Sequence, residues 1–220
     1  MTQTMAALFR CGRNCAVFAT LLAATTVQAA QEQAWHFRVF LDEKPIGSHR
    51  FKLVHEGTRQ VVQSEADFDV RFWFIEAYNY LHRNREVWQE GCLAEIEAAT
   101  DDNGREQRVT GSRAEEGFRV SSTAHGERTL PACVMTFAYW DPGFLEQGRL
   151  LNPQTGEYVS VSVERIGTSR VPYQGQEVSA EGFRLKAGEI IIDVWYSAQR
   201  QWLALESITE GGRRLRYVAQ

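Results

Sequence analysis

The clearest structural signal in the chain is Val62-Gln-Ser-Glu-Ala-Asp-Phe-Asp-Val-Arg-Phe-Trp-Phe74. Apolar or small side chains occupy every second position from Val62 to Phe74, and the positions between them are polar as far as Arg71. A period of two is that of a β-strand with one buried and one solvated face. At about 3.3 Å per residue this strand is roughly 43 Å long, well above the usual length of about five or six residues. Strands of this length favour a curved sheet that wraps a cavity, as in a barrel or half-barrel.

The flanking sequence repeats the alternation in shorter units. Strands are predicted at 35–41, at 93–99 and repeatedly from residue 159 onward. The segment from Tyr78 to Trp88 also alternates, although a helix over 76–90 is the alternative. Asn103-Gly104 favours a hairpin turn because both residues accept a positive φ. About a dozen strands separated by turns predict an all-β, mostly antiparallel fold.

Composition limits the classes of function. The 220 residues are 44% hydrophobic and 24% charged, which is typical of a globular chain and excludes a wholly disordered one. The 24 basic residues are balanced by 28 acidic ones, so the chain lacks the basic character of a nucleic-acid-binding protein. No repeat, linker or charge block marks an internal boundary. Residues 30–220 are therefore predicted to form a single domain.

Residues 1–29 have the features of a secretory signal peptide. Arg10 and Arg13 precede an apolar run from Ala16 to Val27, and Val27-Gln28-Ala29 ends with the small residues of a cleavage site. The apolar run is shorter than the roughly 20 residues that a transmembrane helix needs. We therefore expect a soluble, exported protein that begins at about Ala30 and makes no stable membrane insertion.

Two cysteines, Cys92 and Cys133, remain once Cys11 and Cys15 are removed with the signal peptide. In an oxidising compartment such a pair is expected to form a disulfide. The alternative is a reactive Cys133 thiol assisted by His125, which requires that the thiol stays reduced.

Three of the five prolines fall in one segment. Pro131, Pro142 and Pro153 enclose the apolar, aromatic run Cys133-Val-Met-Thr-Phe-Ala-Tyr-Trp140. Since proline interrupts regular strands, this segment is predicted to form a short helical or irregular cap on the sheet. A Cys92–Cys133 disulfide would tie the cap to a neighbouring strand.

Several motifs distributed over nearly all of the chain after the signal peptide resemble those of a known family. They are Leu41-Asp-Glu-Lys-Pro-Ile-Gly-Ser-His-Arg-Phe51, Gly91-Cys92, Cys133-Val-Met-Thr-Phe-Ala-Tyr-Trp-Asp-Pro142, Leu150-Leu-Asn-Pro-Gln-Thr-Gly156 and the closing Trp195-Tyr196 strand. The family is the exported bacterial domain of unknown function 6134. The resemblance implies a β-rich protein of the Gram-negative periplasm. It implies no reaction and no catalytic residue.

The five histidines do not form a recognisable active site. His36, His49, His55, His82 and His125 are scattered over different predicted elements, without the close spacing of metal ligands, and are expected at the surface or at a pocket edge. His82 and Glu86 would share a face of a helix, but a strand is favoured there. The chain has no Gly-x-Ser-x-Gly motif and no glycine-rich phosphate loop. The sequence thus predicts no catalytic residue, no metal site and no cofactor, and leaves open whether the protein is an enzyme.

Large aromatic side chains are the feature that points to a function. The candidate ligand-binding residues are Phe68, Phe72, Phe74, Tyr78, Tyr80, Trp140 and Trp195. One interpretation is plain core packing. The other is an apolar cavity in a β-barrel that binds a lipid or another hydrophobic small molecule. We therefore expect a periplasmic binding or carrier protein, with an envelope accessory protein and a lipid-acting enzyme as the alternatives.

Overall fold

Successive β-hairpins make up most of the structure. The computed structural model describes residues 32–72, 75–209 and 211–220, so the predicted signal peptide lies outside the described residues. The strands are β1 (Glu32–Leu41), β2 (Lys44–Glu56), β3 (Arg59–Phe72), β4 (Ile75–Gln89), β5 (Cys92–Asp102), β6 (Arg105–Ala114), β7 (Gly117–Ser122), β8 (Gly126–Leu130), β9 (Arg149–Leu151), β10 (Tyr158–Ser160), β11 (Ser162–Tyr173), β12 (Gln176–Ala187), β13 (Ile190–Tyr196), β14 (Trp202–Ile208) and β15 (Arg214–Ala219). The predicted Asn103-Gly104 turn joins β5 to β6 with both residues at positive φ.

Thirteen of the described strands form one curved sheet, in the order β11-β12-β13-β14-β15-β1-β2-β3-β4-β5-β6-β7-β8. Neighbours in the sheet are neighbours in sequence except where β15 pairs with β1, with Phe37 opposite Ala219. A parallel contact between Tyr173 of β11 and Ala219 of β15 folds β11 back onto the sheet. The predicted all-β, mostly antiparallel, barrel-like fold is therefore confirmed.

The longest strands are β3 and β4, with 14 and 15 residues. The alternation expected for β3 is present: Ala66 and Phe68 are buried, whereas Asp67 between them is exposed. Residues 75–89, for which a helix was the alternative, are a strand. A register shift at Val87/Trp88 interrupts the β4–β5 ladder. Bulges of this kind bend a sheet, and this one lies where the sheet must curve around its contents.

The concave face of the sheet carries the hydrophobic core. Its five largest fully buried side chains are all aromatic, namely Trp88, Trp202, Phe37, Phe118 and Phe144. The rings of Phe37 and Trp202 pack with centroids 4.4 Å apart. A second, small cluster lies where β11 folds back, and it consists of Val171, Ala180, Leu203 and Ala204.

Residues 131–157 form the predicted cap and cross the concave face. A 3-10 helix, Pro142–Glu146, lies in their middle, and Phe144 of this helix is fully buried. A Cys92–Cys133 disulfide with a Cα–Cα distance of 5.1 Å joins the cap to β5, as predicted. The indole rings of Trp88 and Trp140 meet edge to face with centroids 5.5 Å apart. The cap is thus attached covalently at its start and packed against β4 further along.

Candidate functional site

A cavity of about 650 Å³ lies on the concave side of the sheet. Its walls come from β1 to β6, from β13 to β15 and from the cap. The mouth is at the end of the sheet where Arg105 and Ile190 lie, because both line the cavity and both are exposed to solvent. Small-molecule sites have volumes of about 300–1,000 Å³. The cavity therefore has the size of a binding site for one small ligand.

Four of the seven predicted ligand-binding residues line this cavity, namely Phe68, Tyr78, Tyr80 and Trp140. The Tyr80 ring stacks on Phe68 with centroids 5.3 Å apart and an angle of 16° between the planes. Aliphatic side chains of β13 to β15, among them Ile192 and Leu205, complete the apolar wall. Aromatic and aliphatic surface of this kind suits a hydrophobic ligand.

Of the remaining three predicted residues, only Trp195 has a described side chain. The side chain of Phe72 and all of Phe74 lie outside the described residues. Trp195 does not line the cavity: it packs against the small second cluster around Ala180. The reason is the alternation of β13, which turns Val194 and Tyr196 into the core and places Trp195 on the other face.

β4 contributes a row of polar side chains that the sequence interpretation did not recognise. Tyr78, Tyr80, His82, Asn84 and Glu86 lie at every second position, and all five line the cavity. Alternate residues of a strand share one face, so His82 and Glu86 lie on the same face in a strand as they would in a helix, although about 13 Å apart. The expectation of a surface or pocket-edge position is wrong for His82, which is 4% exposed. The period of two along β4 was the signal that could have identified this row.

Two histidines flank the small residue Ala66. Ala66 of β3 is paired with His49 of β2 and with His82 of β4. His82 Nδ1 lies 2.8 Å from Thr100 Oγ1, and His49 Nδ1 lies 3.2 Å from the Tyr217 hydroxyl. Burial, with added repulsion from His82, lowers the pKa of His49 to about 3, and burial lowers the pKa of His82 to about 4. Both imidazoles are therefore uncharged at neutral pH.

Glu86 is a buried carboxyl group that forms no ion pair within the described residues. It is 3% exposed and accepts hydrogen bonds from Asn84 Nδ2 at 2.8 Å and from Trp88 Nε1 at 2.9 Å. Burial raises the pKa of Glu86, and hydrogen bonds from Asn84, Trp88 and Thr136 oppose this rise. The net effect favours the uncharged form of this side chain relative to water.

Charged groups gather at the mouth of the cavity. The Tyr78 hydroxyl donates a 2.6 Å hydrogen bond to one oxygen of Asp102, and Arg105 donates a 2.9 Å bond to the other. Ile190, on the opposite side of the mouth, is 46% exposed. A ligand that enters thus passes a neutralised ion pair on one side and an exposed aliphatic side chain on the other.

A larger concavity, of about 830 Å³, lies on the outer face of β1 to β6. Its walls are charged: Arg50 and Arg83 both approach Glu65, and Lys52 pairs with Glu32 at 2.9 Å. These side chains stay partly exposed, so a hydrophobic ligand would remove their water without replacing it. The smaller cavity inside the sheet is therefore the candidate site for an apolar ligand.

The described part of the chain holds no cluster of three or more histidine, cysteine or acidic side chains that could bind a metal ion. Cys133 is bonded to Cys92, which removes the alternative of a reactive Cys133 thiol. Thr100, the hydroxyl nearest to His82, does not line the cavity. Nor do the described ranges contain a helix long and apolar enough to cross a membrane. The arrangement is that of an apolar cavity with a row of polar side chains along one wall.

Comparison with known proteins agrees with the sheet described above. A family model described as domain of unknown function (DUF6134) matches residues 37–220. The crystal structure of a beta-barrel-like protein of domain of unknown function DUF1849 from Brucella abortus is similar, with a TM-score of 0.61 and 10% sequence identity over 85% of this chain and 94% of that chain. At this identity the likeness concerns the fold alone. No curated protein matches the chain.

Proposed function

The chain belongs to the DUF6134 family, and on that premise we propose that it is a periplasmic protein that binds or carries a hydrophobic ligand, such as a lipid, inside its sheet. The observation that supports this most directly is the cavity of about 650 Å³ with aromatic and aliphatic walls. Removing apolar surface from water contributes about 25 cal/mol per Å². A hydrocarbon chain enclosed by these walls would therefore be held without any charged contact.

The cap supports the proposal because it shields the cavity on the side away from the sheet. Phe137, Tyr139 and Trp140 of the cap line the cavity. The Tyr196 hydroxyl donates a 2.8 Å hydrogen bond to the carbonyl of Tyr139, which ties this part of the cap to β13. A ligand would thus lie between two attached layers.

Two features of the chain support the proposed compartment. The first 29 residues have the pattern of a cleaved signal peptide. The disulfide between Cys92 and Cys133 is typical of an oxidising environment such as the bacterial periplasm. A periplasmic carrier would meet lipids that move between the two membranes.

An envelope accessory protein with a filled core is the first alternative. It is less well supported, because the concave face encloses a cavity in addition to its hydrophobic core. Within the described residues the exposed large hydrophobic side chains are three, Ile166, Ile190 and Ile208. Few exposed apolar residues offer little area for a permanent partner.

A lipid-acting enzyme is the second alternative, and the presence of His82 and Glu86 on one cavity wall favours it. Catalysis by the imidazole would require a nucleophile or a bound water within hydrogen-bond reach of His82 Nε2. Turnover of a p-nitrophenyl alkyl ester that disappears in His82→Gln would support this alternative. Binding without turnover would support the carrier.

Native mass spectrometry tests the proposed function. The protein is produced with its own leader, purified from the periplasm without detergent and sprayed under non-denaturing conditions. We expect a population with additional mass that organic solvent releases. A ligand-free spectrum, together with no saturable binding of the hydrophobic dye N-phenyl-1-naphthylamine, would overturn the proposal.

A matched pair of variants distinguishes the cavity from the surface. Ala66→Phe adds a ring to the cavity wall between the two histidines, whereas Ala34→Phe adds the same ring to an exposed position of β1. We expect the first variant to lose the additional mass and the second to keep it. Circular dichroism of both variants shows whether the sheet is retained.

A further inference from the structure

Several polar groups on the cavity wall have no hydrogen-bond partner within the described residues. The Ser64 hydroxyl and the phenol hydroxyls of Tyr80 and Tyr139 make no hydrogen bond, and the hydrogen bond of His82 uses Nδ1 and leaves Nε2 free. Asn84 Oδ1 and His49 Nε2 are buried close by, also without a partner. Buried polar groups are almost always hydrogen-bonded in folded proteins. Their concentration in one cavity therefore points to a polar group of a ligand.

The strand register brings these groups together. Ser64 lies opposite Asn84, Ala66 opposite His82 and Phe68 opposite Tyr80. Side chains diagonal to one another across two strands are about 7–8 Å apart, so Ser64 and His82 can both reach one small group between them. Tyr139 approaches from the cap, close enough to Tyr80 for the two phenols to interact electrostatically. The floor between them is the Ala66 methyl group, which leaves the space open.

No charged side chain is paired with Ala66 on the cavity wall, because its neighbours across the sheet are His49 and His82. Three charged side chains line the cavity, those of Glu86, Asp102 and Arg105. The last two form an ion pair at the mouth. Glu86 accepts hydrogen bonds from Asn84 and Trp88 and has no cation beside it. A carboxylate or phosphate group placed at Ala66 would be buried without a countercharge, which is strongly unfavourable. An ammonium group there would lie about 13 Å of strand away from Glu86, because Ala66 is paired with His82, four residues before Glu86 on β4. An alcohol or an amide would satisfy the same donors and acceptors at no such cost.

The position of these groups along β4 sets the orientation of the ligand. His82 and Asn84 follow the mouth residue Tyr78 by four and six residues, which is about 13–20 Å of extended strand. Apolar residues, including Phe68, Ile192 and Leu205, line the cavity along with them. A ligand that entered with its hydrocarbon first would place methylene groups against the unpaired polar atoms. A ligand that entered with its polar end first would form hydrogen bonds with these atoms.

Building on the proposed function, we propose that the cavity selects an amphiphile with an uncharged hydroxyl or amide head group, which is bound inward at Ser64, Tyr80, His82 and Tyr139 while its hydrocarbon chain extends toward the mouth. The head group donates one hydrogen bond and accepts others, so it suits hydroxyls and a neutral imidazole alike. Charged lipids of the same chain length are excluded by the cost of burying their head groups.

Displacement of N-phenyl-1-naphthylamine by chain-matched ligands tests this inference. The probes are 1-dodecanol, dodecanamide, dodecanoate and dodecyltrimethylammonium at pH 7.5, each below its aggregation threshold. We expect the alcohol and the amide to bind at least about tenfold more tightly than either ion, since burial of an unpaired charge is strongly unfavourable. Equal or tighter binding of dodecanoate would overturn the inference while leaving the proposed function intact. Dye binding without displacement by any of the four would overturn it as well, and absence of dye binding would overturn the proposed function itself.

Hydroxyl-deletion variants locate the head group. Ser64→Ala and Tyr80→Phe each remove one oxygen and keep the packing, and Tyr173→Phe removes a hydroxyl that bonds to Gln201 outside the cavity. We expect the first two variants to lower the affinity for 1-dodecanol by about three- to tenfold, the usual effect of losing one hydrogen bond. Binding of the dye should not change in any of them. An unchanged affinity for 1-dodecanol in both cavity variants, or an equal loss in Tyr173→Phe, would contradict the inward orientation.

Discussion

Glu86 places an acidic group in a wall that offers hydrogen-bond donors but no positive charge. Because burial raises its pKa, the folded protein binds a proton at pH values where the unfolded chain has released it. Stability therefore falls as the pH rises above about 4.5, the ordinary value for this group. An amide at the same position would avoid the ionisation and still pair with Asn84, whose Oδ1 has no partner.

Glu86→Gln is expected to raise the melting temperature at pH 7.5 and to leave it nearly unchanged at pH 4. Each kcal/mol of penalty removed corresponds to about 2–4 °C in a protein of this size. Thermal melts at the two pH values measure the effect. Glu97→Gln, at an exposed position of β5, is the matched control and should change neither value. A lower melting temperature for Glu86→Gln at pH 7.5 would mean that the ionised carboxylate stabilises the fold.

The lowered pKa values of His49 and His82 change the stability in the direction opposite to that of Glu86, over a range that extends to lower pH. Their folded pKa values are lowered to about 3 and about 4, so below pH 6.5 the unfolded chain takes up protons that the folded protein does not. The contribution of the two uncharged imidazoles to the free energy of unfolding is therefore complete above pH 6.5. It is lost as the pH falls toward 4, by at most about 1.4 kcal/mol per pH unit for each imidazole. Glu86 opposes this loss above about pH 4.5, which is why the variants are compared with the wild type.

His82→Gln should show a shallower decrease of stability between pH 6.5 and pH 4 than the wild type, because one of the two imidazoles is gone. The glutamine amide can still bond to Thr100. Urea unfolding over this pH range gives the slope directly. His36→Gln changes an exposed histidine on the outer face and should reproduce the wild-type slope. If His82→Gln kept the full slope, His82 would have to be protonated in the folded state.

The residues of the site show where reasoning from the sequence succeeds and where it stops. The period of two in β3 correctly placed Phe68 on the inner face, since strand alternation is a local property. The same rule applied to β4 would have placed His82 and Glu86 inside. The histidines were expected at the surface or at a pocket edge because they are scattered over different elements, and only tertiary enclosure shows that His82 is buried. Trp195 was assigned by its size, whereas its parity within β13 decides its face.

Among the elements, the cap depends most on a covalent bond. The disulfide spans 41 residues of sequence and joins the first residue of β5 to the start of the cap. In the chain-entropy model a loop of this size constrains the unfolded state by about 4 kcal/mol, which is an upper figure. Without the bond, the cap would be held by contacts such as the 2.9 Å hydrogen bond from Leu93 N–H to the Val134 carbonyl.

Reduction of the disulfide is expected to lower the melting temperature by several degrees and to accelerate proteolysis near the 3-10 helix. Thermal melts and limited proteolysis with and without dithiothreitol measure both effects. The double variant Cys92→Ser/Cys133→Ser controls for other actions of the reductant and should not respond to it. An unchanged melting temperature on reduction would show that packing alone secures the cap.

The far end of the cap is secured by a close contact at Gly156. This residue has a φ of +76°, and a Cβ atom added to it would lie 2.5 Å from Ser122 Cβ of β7. Gly188 has a similar φ of +61°, but no atom lies within 4 Å of an added Cβ. Substitution at either position strains the backbone, but only substitution at Gly156 also forces a close contact. Comparing the two therefore isolates the effect of the contact.

Gly156→Ala should destabilise the protein by about 1–3 kcal/mol more than Gly188→Ala, the usual range for overpacking. Chemical unfolding of both variants gives the difference, because the strain of a positive φ is common to them. Equal destabilisation would mean that the cap shifts away from β7 at little cost. The sequence predicted a cap here from its prolines, but this contact depends on the distance between two segments and has no local signal.

For the molecule as a whole, the fold followed from local patterns and the cavity did not. Repeated alternation and turn residues predicted a curved antiparallel sheet, which the structure confirms. The volume left between the sheet and the cap depends on how far the sheet bends and on which side chains fill it. Bends at register shifts, such as the one at Val87/Trp88, and the small size of Ala66 set this volume together. Neither the bend of the sheet nor the space that the side chains leave open can be predicted from the sequence alone.

β15 completes the sheet, since it pairs with β14 on one side and with β1 on the other. Without β15, the facing edges of β14 and β1 would have no strand partner. Open edges are the places where chains recruit one another into aggregates. The same six residues carry Tyr217, whose hydroxyl contacts His49. A chain truncated before β15 is therefore expected to expose the edges of β1 and β14 and to lose the contact between Tyr217 and His49.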